Sequence, residues 1–250
     1  MFIKNFIKCL IIIIIGIGTL SYNWMEGKII ESKISIVSAE KFHDNDELKL
    51  ENECSTPEES FSYESLPPTI INKIKGVSWK PKAPVKLEEL SYVKILYWGF
   101  DHKEHDGELI VHKKIAEEVV AIFKELYEAK FLIEKVKLID EYGANDDLSM
   151  ADNNTSAFCF REVEGSNGKL SKHSYGIAID INTVQNPYIR GNKISPIEGK
   201  EYIDRLDVRK GMIVKEDVCY KAFKSRGWTW GGDWKTMKDY QHFQKNITLE

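Results

Sequence analysis

Apolar residues are distributed along this chain in three ways. The first is an unbroken run. Lys4 and Lys8 precede Cys9–Leu20, a stretch that includes five consecutive isoleucines. A basic start and an apolar run of this length predict a secretory segment over residues 1–23. The run is short beside the roughly 20 residues of a membrane span, but Phe6 and Ile7 extend it and Lys8 can snorkel to the interface. Thr19-Leu20-Ser21 is a poor cleavage signal, so a cleaved signal peptide and a retained membrane anchor both stay open. Either one exports the rest of the chain, to the cell wall or to the outer face of the membrane.

The second pattern is a lack of large apolar groups. Residues 24–66 are rich in Glu and Ser, most of all from Glu51 to Glu64, and read as an acidic stalk closed by Pro67-Pro68. Within it Ile34-Ser35-Ile36-Val37-Ser38 partly alternates and reads either as a short strand or as a segment packed on the main domain.

The third pattern is periodic and begins near Pro67, which puts the folded domain at 67–250. Tyr92–Tyr97 is β-branched and aromatic and predicts a strand. Ile115, Val119, Ile122, Phe123 and Leu126 recur at helical spacing, with Lys114, Glu117, Glu118 and Lys124 on the other face. Val136–Ile139 and Ile177–Ile181 are further strands; in the latter Ile177, Ile179 and Ile181 share one face and Ala178 and Asp180 the other. Asp217–Arg226 predicts a short helix ended by Gly227, and Tyr240–Gln244 a last strand. Asp101–Gly107 is charged, ends in Asp-Gly and predicts a solvated turn containing His102 and His105. Helices and strands without βαβ alternation predict an α+β fold with an antiparallel sheet.

Charge and cysteines narrow the function. The 250 residues carry a net charge of -4, mixed in sign along the chain, which argues against a nucleic-acid partner. The four cysteines include no Cys-x-x-Cys pair, so neither a thiolate zinc site nor a thioredoxin-like site is supported. Cys219 falls in the last helical pattern as a small buried apolar group. A Cys159–Cys219 bond is compatible with export but nothing requires it.

The candidate chemistry lies in the C-terminal third. Ser171-Lys172-His173-Ser174-Tyr175-Gly176-Ile177-Ala178-Ile179-Asp180 and Asp239-Tyr240-Gln241-His242 together offer two histidines, one carboxylate and a spare acid. Two His and a carboxylate, with one position left for water, form a common catalytic zinc set; the spare acid suits a general base. A rival reading, Ser166-Asn167-Gly168-Lys169 as the Ser-x-x-Lys of a serine peptidase, lacks the supporting Lys-Thr-Gly and sits in a tight-turn sequence. Arg161 has Glu162 and Glu164 as possible ion-pair partners, Ser171 can be a turn cap, and Trp228, Trp230 and Trp234 can be core or cleft wall beside Gly231 and Gly232.

These motifs resemble the zinc peptidases of bacterial cell walls and phage lysins, a family of D-alanyl-D-alanine carboxypeptidases and L-alanyl-D-glutamate endopeptidases. Ser171–Asp180 and Asp239–His242 carry the resemblance, with Asn182, Asn186-Pro187-Tyr188 and Gly227–Trp234 between them; Ser149–Phe158 and Arg161 are similar to the endopeptidase branch. The resemblance implies the compact α+β fold shared with the Hedgehog zinc domain. It implies zinc on His173, Asp180 and His242, Asp239 as base, and Arg161 at the substrate or oxyanion. Ser171 and Trp230 are candidate substrate contacts, and peptidoglycan peptides are the implied partner. The competing class is a wall-binding module that holds zinc without turnover, against which Asp239 argues.

Overall fold

Alternation along one long strand organises the fold, seen in a computed structural model that describes residues 60–249. The apolar run, Ile34–Val37, most of the stalk, and Cys54 lie outside the described residues. The chain begins with β1 (Ser62–Ser65), α1 (Pro68–Ile74), β2 (Leu90–Trp98), β3 (Glu104–His112) and α2 (Ala116–Glu128). β1, β2 and β3 form a three-stranded antiparallel sheet in that order. Leu90 and Tyr92 of β2 pack with Leu66, Ile74, Ile110 and Phe158 in a smaller cluster. Val93, Ile95 and Tyr97 point into the main core with Leu109 and Val111. Both faces are therefore covered, and successive side chains of one strand feed two cores. α2 packs on β2, with Ala116, Val119, Ile122, Phe123 and Leu126 all buried. Glu117 and Glu118 in its first turn suit the positive end of the helix dipole.

Two parts of this sheet depart from the sequence pattern. Ser62–Ser65, assigned by composition to the stalk, pairs with β2 from Ser62↔Lys94 to Ser65↔Ser91, so ordered structure precedes Pro67. All its side chains are exposed; backbone pairing at a sheet edge holds it and leaves no apolar signature. β3 starts at Glu104, inside the stretch expected to be a solvated turn. Its first three residues are exposed and charged or polar, and only the residues before it turn, with His102 at φ 60°.

The second half follows as β4 (Lys135–Val136), α3 (Asp146–Ala151), β5 (Asn154–Thr155), β6 (Ala178–Asp180), β7 (Tyr188–Arg190), β8 (Lys193–Ser195), α4 (Val218–Lys224), β9 (Thr229–Trp230), β10 (Lys238–Asp239) and β11 (His242–Gln244). The fold is α+β, as expected. Among the described residues its antiparallel strands are spread over three three-stranded sheets, the second ordered β6-β11-β9 and the third β10-β7-β8. β4 and β5 pair in parallel. The strand expected at Val136–Ile139 stops at Val136, because Ile139–Tyr142 winds into a short 3₁₀ turn.

Aromatic packing fixes β11. Phe243 stacks on Phe223 of α4 with ring centroids 4.1 Å apart and planes 13° from parallel. Asp217 caps α4 by accepting from the Tyr220 N–H at 2.6 Å. Phe223→Ala is expected to cost about 3–5 kcal/mol, the usual range for emptying a large aromatic site in a core, measured by denaturant unfolding. A polar frame ties the loops to β6. Asn182, left-handed at φ 47°, accepts from Glu134 N–H at 3.0 Å and donates to the carbonyls of Leu132 and Gly211. Asn186 accepts from Arg205 at 2.9 Å and from Ile213 N–H at 2.7 Å.

Candidate metal centre

The Ser-x-His-x-x-Gly spacing is a capped turn. Ser171 Oγ accepts from the His173 N–H at 3.3 Å, opening a 3₁₀ turn over Lys172–Tyr175 that leaves through Gly176 in the left-handed region at φ 66°. A Cβ on Gly176 would lie 2.7 Å from the backbone nitrogen of His112, so glycine is needed for both conformation and space. The turn points the His173 ring inward. Its Nδ1–H donates to the Ala157 carbonyl at 2.5 Å, which leaves Nε2 for the site.

Strand register supplies the other two groups. Asp180 of β6 lies directly opposite His242 of β11, and residues opposite in an antiparallel pair share a face. Phe243, one residue on, faces the core. His242 Nε2–H donates to Gln244 Oε1 at 3.1 Å, which turns Nδ1 toward Asp180. His242 Nδ1 is 2.9 Å from Asp180 Oδ1, His173 Nε2 is 3.1 Å from Asp180 Oδ2, and the two ring nitrogens are 3.3 Å apart. All three residues are buried, with one donor atom from each within a 4.8 Å span.

Two observations test this group as a metal site. Tetrahedral bonds of about 2.0–2.1 Å place neighbouring donors about 3.3 Å apart, close to the spacing of the two ring nitrogens. Each histidine also spends its outward N–H on a protein oxygen, so the other nitrogen of each ring faces the carboxylate. That arrangement calls for positive charge at its centre. The electrostatics agree. Burial alone would raise Asp180, but the charges and hydrogen bonds of His173 and His242 hold it far below the usual carboxylate range. Burial alone would lower His242, but the Asp180 bond and charge outweigh it and hold the imidazole at about 9. The residues fit a divalent cation.

Asp239 lies beside the group and outside it. Burial pushes its carboxyl up to about 7 against the attraction of His242 and Arg161, while Asp180 adds a push in the same direction as burial. Its Oδ1 is shielded from solvent without a hydrogen-bond partner. Gly231 sets its place: a Cβ there would lie 2.4 Å from the Asp239 carbonyl oxygen.

The remaining candidates divide. Arg161 reaches the site, with Asp180 and Asp239 both among the charges acting on it; its ion-pair partner is Asp146 at 3.0 Å, and neither adjacent glutamate is. Asp146 escaped sequence reasoning; the only hint was a helix-cap sequence, Asn145-Asp146-Asp147. Ser171 is 5 % exposed and spent on the turn cap, so its hydroxyl holds His173 in place. Trp230 is 3 % exposed and donates to the Tyr240 carbonyl at 2.8 Å, so it packs in the core. The tryptophan beside the metal group is Trp234, 5.6 Å from the His242 ring. Ser166 donates within its own turn to the Val163 carbonyl at 2.6 Å, which suits no nucleophile. His105 bonds Asp101 at the surface, away from the group. Cys159 and Cys219 are both free and buried.

The comparison with known families bears on this geometry. Residues 164–245 match the family model described as D-alanyl-D-alanine carboxypeptidase. The matched span holds His173, Asp180, Asp239 and His242 and supports a peptidase of that zinc-dependent family. Arg161 and Asp146 fall outside it. No solved structure matches the chain.

Proposed function

We propose that this chain is an exported zinc peptidase that hydrolyses the stem peptides of bacterial peptidoglycan between L-Ala and D-Glu. The observation that carries the reading is the buried His173–Asp180–His242 group with an unpartnered carboxylate, Asp239, next to it, inside a segment that matches a peptidase family. A purely structural site would need no such base.

His173 through Nε2, His242 through Nδ1 and Asp180 would hold the metal. Zinc bound there lowers the pKa of a water to about 7 and polarises the scissile carbonyl. Asp239 takes the proton of the attacking water on its carboxylate and delivers it to the leaving amine; a carboxyl raised toward neutrality is suited to both transfers. The Arg161 guanidinium meets negative charge on the substrate or on the oxygen that develops it. Gly231 keeps the Asp239 backbone where these transfers need it. Gly231→Ala is expected to retain zinc and lose about 10²-fold in kcat/KM, as a misplacement near 1 Å can, checked by steady-state kinetics beside elemental analysis.

Metal uptake has its own signature. A histidine whose folded pKa of about 9 exceeds its ordinary 6.5 stabilises the fold fully below 6.5, and that contribution is lost as pH rises through about 9. Near pH 7, zinc must therefore displace the proton on His242. Titration calorimetry in buffers of different ionisation enthalpy is expected to show proton release on zinc binding; heats independent of buffer would count against His242 as a ligand.

The choice of bond follows the resemblance of Ser149–Phe158 to the endopeptidase branch. The description of the matched family favours a second reading, removal of terminal D-Ala. Mass analysis of purified muropeptides treated with the zinc-loaded protein decides. Fragments that begin with D-Glu, released even from peptides lacking terminal D-Ala, support the endopeptidase. Free D-Ala alone, with truncated peptides uncut, supports the carboxypeptidase. Binding without any product reduces the chain to a wall-binding module.

A further inference from the structure

The group acting on Arg161 is as telling as Arg161 itself. Its backbone is clamped to the turn that carries His173: its N–H donates to Ser174 Oγ at 2.9 Å, and the same hydroxyl donates back to the Arg161 carbonyl at 2.7 Å. Only the long side chain is left to be set, and its ion pair sets it, Nη2 to Asp146 Oδ2 at 3.0 Å. Both side chains are only about a quarter exposed, and a carboxylate in such a place is costly unless paired. Asp146 also feels repulsion from Asp180. Asp146 is the third carboxylate here, after Asp180 and Asp239; without a bound cation Asp180 repels it, and the Arg161 guanidinium offsets that repulsion.

The geometry of the pair matters. A guanidinium satisfied by a carboxylate normally presents two parallel N–H groups to two oxygens. Here one nitrogen is engaged, and Nε is shielded from solvent with no partner. Donors are thus left over on a side chain whose direction is fixed. Asp146 is itself held firmly. Asn145 caps α3 by accepting from Leu148 N–H at 3.0 Å, and Thr183, just beyond β6, donates to the Met150 carbonyl at 2.7 Å. That bond ties α3 to the chain just beyond β6.

We propose that Asp146 is a positioning residue that aims the Arg161 guanidinium at the anionic group of the bound peptide, an inference that rests on the peptidase reading above. It touches no reacting atom; it narrows the rotamers of Arg161 so that the ordering entropy is spent before substrate arrives.

The test uses the full zinc-loaded protein with Asp146→Asn, Asp146→Glu, Arg161→Ala and the double variant Asp146→Asn/Arg161→Ala. Asp146→Asn is expected to keep zinc content and a cooperative, though lowered, melting transition and to lose about 10- to 100-fold in kcat/KM on muropeptides, with partial rescue in Asp146→Glu. In the Arg161→Ala background the same substitution is expected to add nothing, because the group it positions is gone. An equal loss in both backgrounds, or no loss in wild type, overturns the proposal, and so does an Arg161→Ala variant that is fully active. The Arg161 Nε–H resonance is the readout that does not depend on turnover. It is expected to be sharp and protected from exchange in wild type and averaged in Asp146→Asn; an unchanged resonance overturns positioning even if the protein cuts no peptide. Failure of the peptidase reading appears separately, as absent product from wild type. If Asp146→Asn does not fold, Asp146→Glu, which moves the charge by one methylene, is read in the same two ways.

Discussion

His242→Ala is expected to abolish both metal binding and turnover. The substitution removes one of the three candidate donor atoms and also the lesser, after His173, of the two imidazoles that hold the Asp180 carboxyl down. Two protein ligands cannot compete with water for zinc at ordinary concentrations, so elemental analysis of the purified variant is expected to show near-zero occupancy. Stability gives a second reading. A ligand that binds only the folded state stabilises it by about 4 kcal/mol at a thousand times its Kd, so wild type is expected to melt markedly higher with zinc than with chelator. The variant is expected to melt at one temperature in both. The same holds for His173→Ala. Asp180→Ala adds a further effect, because two imidazoles 3.3 Å apart lose the carboxylate between them and the metal-free fold weakens as well. Near-full zinc occupancy in His242→Ala would remove that residue from the ligand set.

Asp239→Asn is expected to separate chemistry from metal. The variant should keep zinc and fold and lose about 10²–10⁴-fold in turnover, the usual contribution of a general base. The amide is nearly isosteric and neutral, and the carboxyl it replaces is pushed by burial up to about 7, so the fold loses little and is even relieved of a buried charge at alkaline pH. The pH profile carries the sign. A base works when deprotonated, so kcat/KM in wild type should rise with pH through the Asp239 titration. A cation held by the neighbouring ligands draws that limb below 7. In Asp239→Asn the rising limb should vanish along with the rate. Retained turnover with zinc in place would take Asp239 out of the mechanism.

The residues of the candidate metal group were legible in sequence because each sits in a local signature. A serine cap and a left-handed glycine bracket His173, and the alternation of Ile177, Ile179 and Ile181 forces Asp180 to the opposite face of its strand. What placed Asp180 across from His242 was register between strands some sixty residues apart, which no local pattern encodes. Partners at a distance were missed for the same reason. Asp146 at the start of α3 meets Arg161, which lies beyond β5, and nothing within a helical window announces that. Gln244 and the Ala157 carbonyl, which fix the two ring tautomers, were equally silent. Among the tryptophans, composition could not tell Trp230, whose indole is buried on Phe243, from Trp234 beside His242; neighbouring glycines marked both. β1 and the start of β3 escaped because their stability comes from backbone ladders and not from burial, and hydropathy reads only burial.

β11 has three residues and runs between β6 and β9 in its sheet. His242 turns one way toward the metal group and Phe243 the other way onto Phe223. No residue separates the reactive side of the molecule from its structural side. Retention of a bound ion and retention of the fold would then be coupled equilibria, read from opposite faces of one strand. By thermodynamic reciprocity, loosening Phe223 must weaken the hold on the ion by as much as ion loss loosens the core. Wherever the protein works, the local supply of metal would govern how long it lasts as well as how fast it cuts.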